Sequence, residues 1–127
     1  SETFGFNDKR KKLISELKNN YEKNLTTTIA SKNLIMNIVN VKDIILALNL
    51  ILKDNIKGGD YAIINKKSIN VGDLISKFNK IKNNQLKIKW NATKILKEKI
   101  IKYKIIPGWK PKNSTINDLI KYIDTKL

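Results

Sequence analysis

The sequence predicts a mixed α/β (α+β) fold of about five helices and a few short strands, and three observations carry that prediction. Apolar residues recur at helical spacing in separate stretches, most cleanly at Val71, Leu74, Ile75, Phe78 and Ile81. The strict alternation Leu86-Lys87-Ile88-Lys89-Trp90 marks a half-buried strand that shows its lysines to water or to a ligand. The other strand-like runs are too few and too scattered to build a complete parallel sheet. At 127 residues the chain suits one domain, residues 1–127, with room for a real core but not for two.

The first fourteen residues organise the rest of the chain. Ser1 to Phe4 reads as the end of a strand, Gly5 as a turn, and then a helix runs over about residues 9–23, with Asn7 or Asp8 as N-cap. Leu13, Ile14, Leu17 and Tyr21 share one face of it. Asn24 to Lys32 is threonine-rich and lacks a helical period, so a loop with a short strand is expected. Leu34 to Val41 is strand-like, and Asp43 is placed to cap a helix from Ile44 to Lys53. That helix is apolar almost all round, which predicts a core helix buried on several sides with Asn49 as its one interior polar group.

Gly58-Gly59 forms a turn into a buried strand, Asp60 to Asn65. Asn70 is the candidate cap of the Val71–Ile81 helix, and Thr93 of a short helix bearing Ile95, Leu96 and Ile100. Pro107-Gly108-Trp109-Lys110-Pro111 is a rigid turn in which Trp109 is a large apolar anchor. Thr115 and Asp118 have capping-box spacing, ahead of a last helix with Ile116, Leu119, Ile120 and Ile123 on its inner face.

The composition removes several chemistries. There is no cysteine and no histidine, so disulfides, thiolate metal sites, the usual general base and the commonest metal ligand are all missing. No apolar run reaches the roughly 20 residues that span a bilayer, and the start does not resemble a signal peptide. A cytoplasmic domain without a membrane partner is expected. The net charge of +15, from 26 basic and 11 acidic residues, admits a second reading, a small lysine-rich nucleic-acid-binding module. Arg10 is the single arginine, valine occurs only at Val39, Val41 and Val71, and isoleucine and asparagine abound. That joint bias is the mark of an AT-rich genome, whereas dedicated nucleic-acid surfaces draw on arginine for bidentate contacts. Nucleic acid is therefore the second choice.

Four stretches in order resemble the C-terminal part of the extended short-chain dehydrogenase/reductases, the NAD-dependent epimerase/dehydratase family that modifies nucleotide sugars. Phe4-Gly5, Asn7-Asp8 and Lys12-Leu13-Ile14 are similar to the family's Tyr-Gly-Pro turn and the lysine-leucine-isoleucine opening its substrate-domain helix. Asn37-Ile38-Val39-Asn40-Val41-Lys42-Asp43 is similar to its DFVHVDD segment. Gly59 to Asn65, with Ile69 and the Val71–Phe78 helix, resembles its YNIGSG and SI.ELI segment. Gly108-Trp109-Lys110-Pro111 matches its LGWKP ending.

The resemblance implies a C-terminal substrate-binding domain without the Rossmann sheet, a fragment lacking the N-terminal dinucleotide-binding domain. Its ligand would be a nucleotide-diphosphate sugar and its partner that missing domain. NAD or NADP would belong to the full-length epimerase, dehydratase or reductase, not to this chain, which has no catalytic residue and is inactive alone. Neither the family's glycine-rich pyrophosphate turn nor its Tyr-x-x-x-Lys pair is expected in this chain. Gly58-Gly59 is not that turn, Tyr61 and Tyr103 have no lysine four residues on, and Tyr21 and Tyr122 are unsuitable.

Five residues are the candidate substrate contacts: Arg10, Lys12 and Leu13 at the first helix, and Lys87 and Lys89 on the alternating strand. Cations at a helix start oppose its dipole, so their place there calls for a reason outside the helix, and a diphosphate fits. A solvated basic turn is the plainer alternative. Met36 stands where many relatives carry a diphosphate-binding arginine; Lys87 or Lys89 is the candidate substitute, with simple exposure as the alternative. Asp43 is expected to cap, Trp90 and Trp109 to anchor the core (Trp90 with the option of stacking on a base), and Asn37 and Asn40 to fix a strand edge.

Overall fold

The computed structural model describes residues 2–83, 85–92, 94 and 103–125. Among them the chain runs β1 (Glu2–Phe4), α1 (Leu13–Glu22), β2 (Thr26–Ile29), β3 (Ile35–Met36), β4 (Ile38–Asn40), α2 (Val41–Lys53), β5 (Ile69–Asn70), α3 (Val71–Ile81), β6 (Lys87–Trp90) and α4 (Ile116–Asp124). The six strands form three separate pairs. β1 and β4 are parallel with Thr3 opposite Val39, β2 and β6 are parallel with Thr28 opposite Lys89, and β3 and β5 are antiparallel with Met36 opposite Ile69. The mixed α/β expectation holds. Four helices lie among the described residues; the one expected after Thr93 falls outside them.

Two apolar clusters meet at β4. Successive strand residues point to opposite faces, so Ile38 enters the larger cluster, with Phe4, Leu17, Leu74, Phe78 and Leu119, while Val39 enters the smaller, with Ala47, Ile106 and Trp109. α1 packs on α4 across the larger cluster. Phe4 meets Tyr122 edge-on at 5.4 Å and Tyr21 meets Phe78 at 5.1 Å, an arrangement that suits the ring quadrupoles. Close approach depends on glycine at Gly72, whose N–H donates to the Lys32 carbonyl at 3.1 Å; a Cβ there would lie 2.7 Å from that oxygen.

The helix ends depart from the sequence expectations in an orderly way. α1 begins at Leu13 rather than near residue 9, because Asn7 takes a left-handed φ of 58° and the Asp8 carboxylate holds Arg10 instead of a helix amide. α2 begins at Val41 and is capped by Asn40, whose side chain accepts from Lys42 N–H, so Asp43 lies inside the first turn and is not the cap. Asn70 and the Thr115–Asp118 box cap α3 and α4 as expected. Asn24, Asn55 and Asn83 each sit one residue past a C-cap with φ between 44° and 55°. That is the left-handed stop usually made by glycine, which asparagine also tolerates.

Two larger corrections concern burial. α2 is not a core helix buried on several sides: Val41, Ile45, Leu46, Leu48 and Leu52 are exposed, as is Asn49, and only Asp43 and Ala47 are buried. The run from Asp60 to Asn65 is no regular strand. It contributes one isolated parallel bridge, Ala62 to Ile105, and is half-buried at best. The stretch Leu34 to Val41 divides into β3 and β4 at Asn37, whose amide exchanges two hydrogen bonds with the Asn65 backbone at 2.8 and 2.9 Å.

Candidate functional site

The most heavily bonded carboxylate is Asp43, fully buried beside the loop before α4. It accepts from Ser114 Oγ at 2.5 Å, from Lys112 N–H at 2.9 Å, and from both the N–H and Nδ2 of Asn113 at 2.8 to 3.2 Å. Its own backbone carbonyl takes Trp109 Nε1–H at 3.0 Å. Burial is the largest single influence on its pKa and pushes it up, but the donors Ser114, Lys112 and Asn113 together hold it below the ordinary aspartate value. A carboxylate so fully engaged is a clasp between α2 and the C-terminal loop. Ser114 Oγ also accepts Asn40 N–H at 2.8 Å, and Asn65 Nδ2 donates to the Ser114 carbonyl at 2.7 Å, so Asn37 and Asn40 do fix the edge of β4.

The start of α1 has a different character. Among the described residues it is the one helix whose first turn receives no side-chain cap; α2, α3 and α4 have Asn40, Asn70 and Thr115. Lys12 occupies its N-cap position and Leu13 is its first residue. Uncapped amides with the positive end of the helix dipole suit an anion. Leu13 is half-buried against the larger cluster, so its contribution is the backbone amide. Lys9, Arg10 and Lys11 border a cleft of about 470 Å³ along this end of α1, together with Asp8, Ser15 and Asn19.

Arg10 is less available than sequence suggests. Its Nε and Nη2 hold both Asp8 oxygens at 2.7 and 2.6 Å, and Nη2 also donates to Thr3 Oγ1 at 2.7 Å. The Arg10 bond is also what chiefly lowers the Asp8 pKa. Lys12 is held more loosely, 3.4 Å from Glu2. Of the two cations, Lys12 is the freer to meet a phosphate.

Lys87 and Lys89 lie elsewhere. Both are exposed on β6, and the parallel register sets Thr26 opposite Lys87 and Thr28 opposite Lys89, giving one outward face of two ammonium and two hydroxyl groups. Adjacent strands stand about 4.8 Å apart, so the four groups are neighbours. Lys87 Nζ reaches the Asn24 carbonyl at 3.4 Å. The inward face, Thr27, Ile29, Ile88 and Trp90, packs on the larger cluster. Asn20 Nδ2 to Thr27 Oγ1, at 3.0 Å, ties β2 to the far end of α1. The candidates therefore form two groups, Arg10–Lys12–Leu13 and Lys87–Lys89, at opposite ends of a helix that is about 15 Å long at 1.5 Å per residue.

Sequence reasoning overlooked two surfaces. A cleft of about 590 Å³ is bordered by Lys66, Lys67, Lys77 and Lys110, with Ser68 and Thr115, where two loops meet α3 and the start of α4. A groove of about 670 Å³ is bordered by Lys32, Asn70, Asn79, Ile88 and Trp90. Met36 is half-buried against the larger cluster. Lysines lie on all four helices and on β6 rather than on one element.

Against the expectation that no Tyr-x-x-x-Lys pair is present, one such spacing does occur, from Tyr122 to Lys126. Burial, then the charges of Asp8 and Glu22, raise the Tyr122 pKa. A catalytic tyrosine needs the opposite shift, and the Tyr122 ring packs on Phe4. Among the described residues no helix is long and apolar enough to cross a membrane.

No protein-family profile and no curated protein sequence matches the chain. Solved structures do. RMD from Pseudomonas aeruginosa, complexed with NADPH, superposes with a TM-score of 0.71 at 16% identity, over 96% of this chain and 44% of its own. The dTDP-glucose 4,6-dehydratase of Bacillus anthracis str. Ames, in complex with NAD, gives 0.69 at 15% identity over 97% and 41%. UDP-glucose 4-epimerase from Thermotoga maritima, with UDP-glucose, gives 0.68 at 16% identity over 97% and 42%. The chain spans less than half the length of each, and at such identities the likeness is one of fold. Nearly the whole chain thus has a fold that enzymes for the epimerisation and dehydration of nucleotide sugars carry over somewhat under half of their length.

Proposed function

We propose that this chain is the sugar-nucleotide-binding part of an NAD(P)-dependent epimerase, dehydratase or reductase, working with a dinucleotide-binding domain that supplies the cofactor and the chemistry. The observation that carries the reading is the superposition of nearly the entire chain on enzymes solved with NADPH, NAD and UDP-glucose. In this reading the uncapped start of α1, with Lys12 and the Leu13 amide, receives phosphate, and Arg10 fixes the turn through Asp8 and Thr3. Lys87 and Lys89, with Thr26 and Thr28, offer a second polar face for the rest of the ligand. NAD or NADP is held by the partner domain, the chain alone transfers neither hydride nor proton, and the whole enzyme works in the cytoplasm.

The test is a titration of the chain with UDP-glucose and dTDP-glucose, followed by amide chemical shifts. Shifts should gather at residues 9–13 and 87–90. Lys12→Ala should weaken binding by about fivefold, the worth of one charge-assisted contact of about 1 kcal/mol. NAD should leave the spectrum unchanged. Micromolar binding of NAD by the chain, or no response to either nucleotide sugar, would overturn the proposal.

A further inference from the structure

The cleft where segments 65–69 and 110–115 meet α3 is set apart by its charge. Lys66, Lys67, Lys77 and Lys110 stand on its border, all four exposed, and no carboxylate does. The cleft along α1 mixes its cations with Asp8 and Glu16, and the groove beside Trp90 includes Asp73. The carboxylates that reach the loop before α4 are already engaged. Asp43 is held by Ser114, Lys112 and Asn113, and Asp118 by the Thr115 hydroxyl at 2.5 Å and N–H at 2.9 Å. None of the four ammonium groups has an ion-pair partner among the described residues. Like charges gathered in this way repel one another, and an anion seated among them removes the penalty.

The backbone beneath these lysines is fixed. Asn65, next to Lys66, bonds Asn37 twice and donates to the Ser114 carbonyl at 2.7 Å. Ser68 leads into β5, where Ile69 is buried opposite Met36. Lys110 follows Trp109, whose Nε1 is held by the Asp43 carbonyl, and Lys77 precedes the fully buried Phe78 on α3. Three separate parts of the chain thus present cations to one space from anchored positions, and such preorganisation lowers the cost of binding. Apolar groups share the border: buried Ile69 and half-buried Pro111 and Ile116.

We infer that this cleft is a second ligand site, which takes a polyphosphate. A lysine ammonium is a compact point charge on a flexible stem, suited to a phosphate chain of variable shape more than to a single planar carboxylate. Four of them call for several negative charges close together. The apolar groups give the nucleoside of a nucleoside triphosphate a surface to rest on, and about 590 Å³ lies within the roughly 300–1,000 Å³ of small-ligand sites. A nucleic-acid strand would instead need cations continued along a groove, and the lysines beyond this cleft are spread over every helix. The cleft and the start of α1 belong to opposite edges of the β1–β4 pair. Asn65 and Ser114, on the cleft's border, meet the Ile38 carbonyl and Asn40 N–H of β4, whereas Arg10 meets Thr3 of β1. The inference therefore does not depend on the function proposed above.

Calorimetric titration of the 127-residue chain with ATP and with inorganic tripolyphosphate, mapped by amide chemical shifts, tests it. Both should bind, ATP several-fold more tightly, with shifts at residues 65–69, 77 and 110–117 and none at 9–13. Equal affinity keeps the site and identifies free polyphosphate as its source. Lys66→Gln combined with Lys110→Gln should weaken ATP binding by about 25-fold, roughly fivefold for each lost contact, while Lys53→Gln, at an exposed lysine of α2, should leave it unchanged. Binding of neither ligand, or an equal loss in Lys53→Gln, overturns the inference. So does tighter binding of a short single-stranded RNA with shifts spread over several helices, since the surface then serves nucleic acid. UDP-glucose added first should leave the ATP affinity unchanged; competition would put the sugar nucleotide in this cleft and remove the second site. UDP-glucose binding without ATP binding removes this inference and leaves the proposed function, and ATP binding without UDP-glucose binding does the reverse.

Discussion

Asp43 Oδ2 accepts a hydrogen bond from Ser114 Oγ at 2.5 Å, which joins the first turn of α2 to the loop before α4 across 71 residues of chain. Asn113 and Lys112 donate to the same carboxylate, so a single buried charge organises three consecutive loop residues. Replacing it by alanine removes the acceptor and leaves buried donors unmatched. Asp43→Ala should cost about 3 kcal/mol or more, and Asp43→Asn, which keeps the shape but not the charge, a smaller amount. Denaturant midpoints checked against Asp118→Asn, a change at an exposed cap, would measure the difference.

The same carboxylate makes stability depend on acid. Its folded pKa is lowered from the unfolded value of about 3.9, so its contribution is complete above that value and is lost as pH falls through the folded one. Asp8, lowered chiefly by the Arg10 hydrogen bond, adds with the same sign. Unfolding midpoints should be flat from neutrality to about pH 5 and decline below about pH 4. Asp43→Asn should flatten most of that decline, and a profile unchanged by it would refute the assignment.

Gly72 lets the start of α3 lie against the Lys32 carbonyl. A methyl group there meets backbone rather than a yielding side chain. Gly72→Ala should destabilise by about 1–3 kcal/mol, the range of an overpacked site, whereas Gly58→Ala, which meets nothing within 4 Å, should be near neutral. Thermal melts of the two variants side by side would show it.

Asn24, Asn55 and Asn83 end three helices in the left-handed region. Glycine at these positions should be neutral or slightly stabilising, while valine should cost about 1–2 kcal/mol each from the clash of its Cβ with the backbone. Equal melting temperatures for the glycine and valine variants would show that these asparagines are not stops.

Trp109 connects bulk with direction, since its ring fills the smaller cluster while Nε1 meets the Asp43 carbonyl. Trp109→Phe should lose about 1 kcal/mol with the hydrogen bond, and Trp109→Ala about 3–5 kcal/mol with the cavity. Chemical denaturation followed by the fluorescence of Trp90 would separate the two.

The features legible in the sequence are those that depend on near neighbours. The caps Asn70 and Thr115–Asp118, the inner face of α3 from Val71 to Phe78 and the alternation that exposes Lys87 and Lys89 are all local, and the structure has each of them, although Ile81, read as the end of that face, is exposed. α2 misleads because an apolar residue bears the same letter whether it faces its own core or an uncovered surface; Ile44 and Ile45 differ only in what lies beyond them. Asp43 carries the local signature of a cap, and its true partners are some seventy residues away. Arg10 looks like a free cation in sequence because Thr3 Oγ1, seven residues back, shows no sign there of aiming at it. The asparagine stops are hidden by composition, since in a chain so rich in asparagine no single one stands out.

β4 is three residues long, yet its neighbours Ile38 and Val39 are both fully buried, one in each apolar cluster. A shift of one residue along β1 would exchange the two side chains and put each into a cavity shaped for the other. The strand has no mispaired alternative that keeps either cluster filled. Misregistration is thereby penalised twice, and a strand of three residues is given a single address.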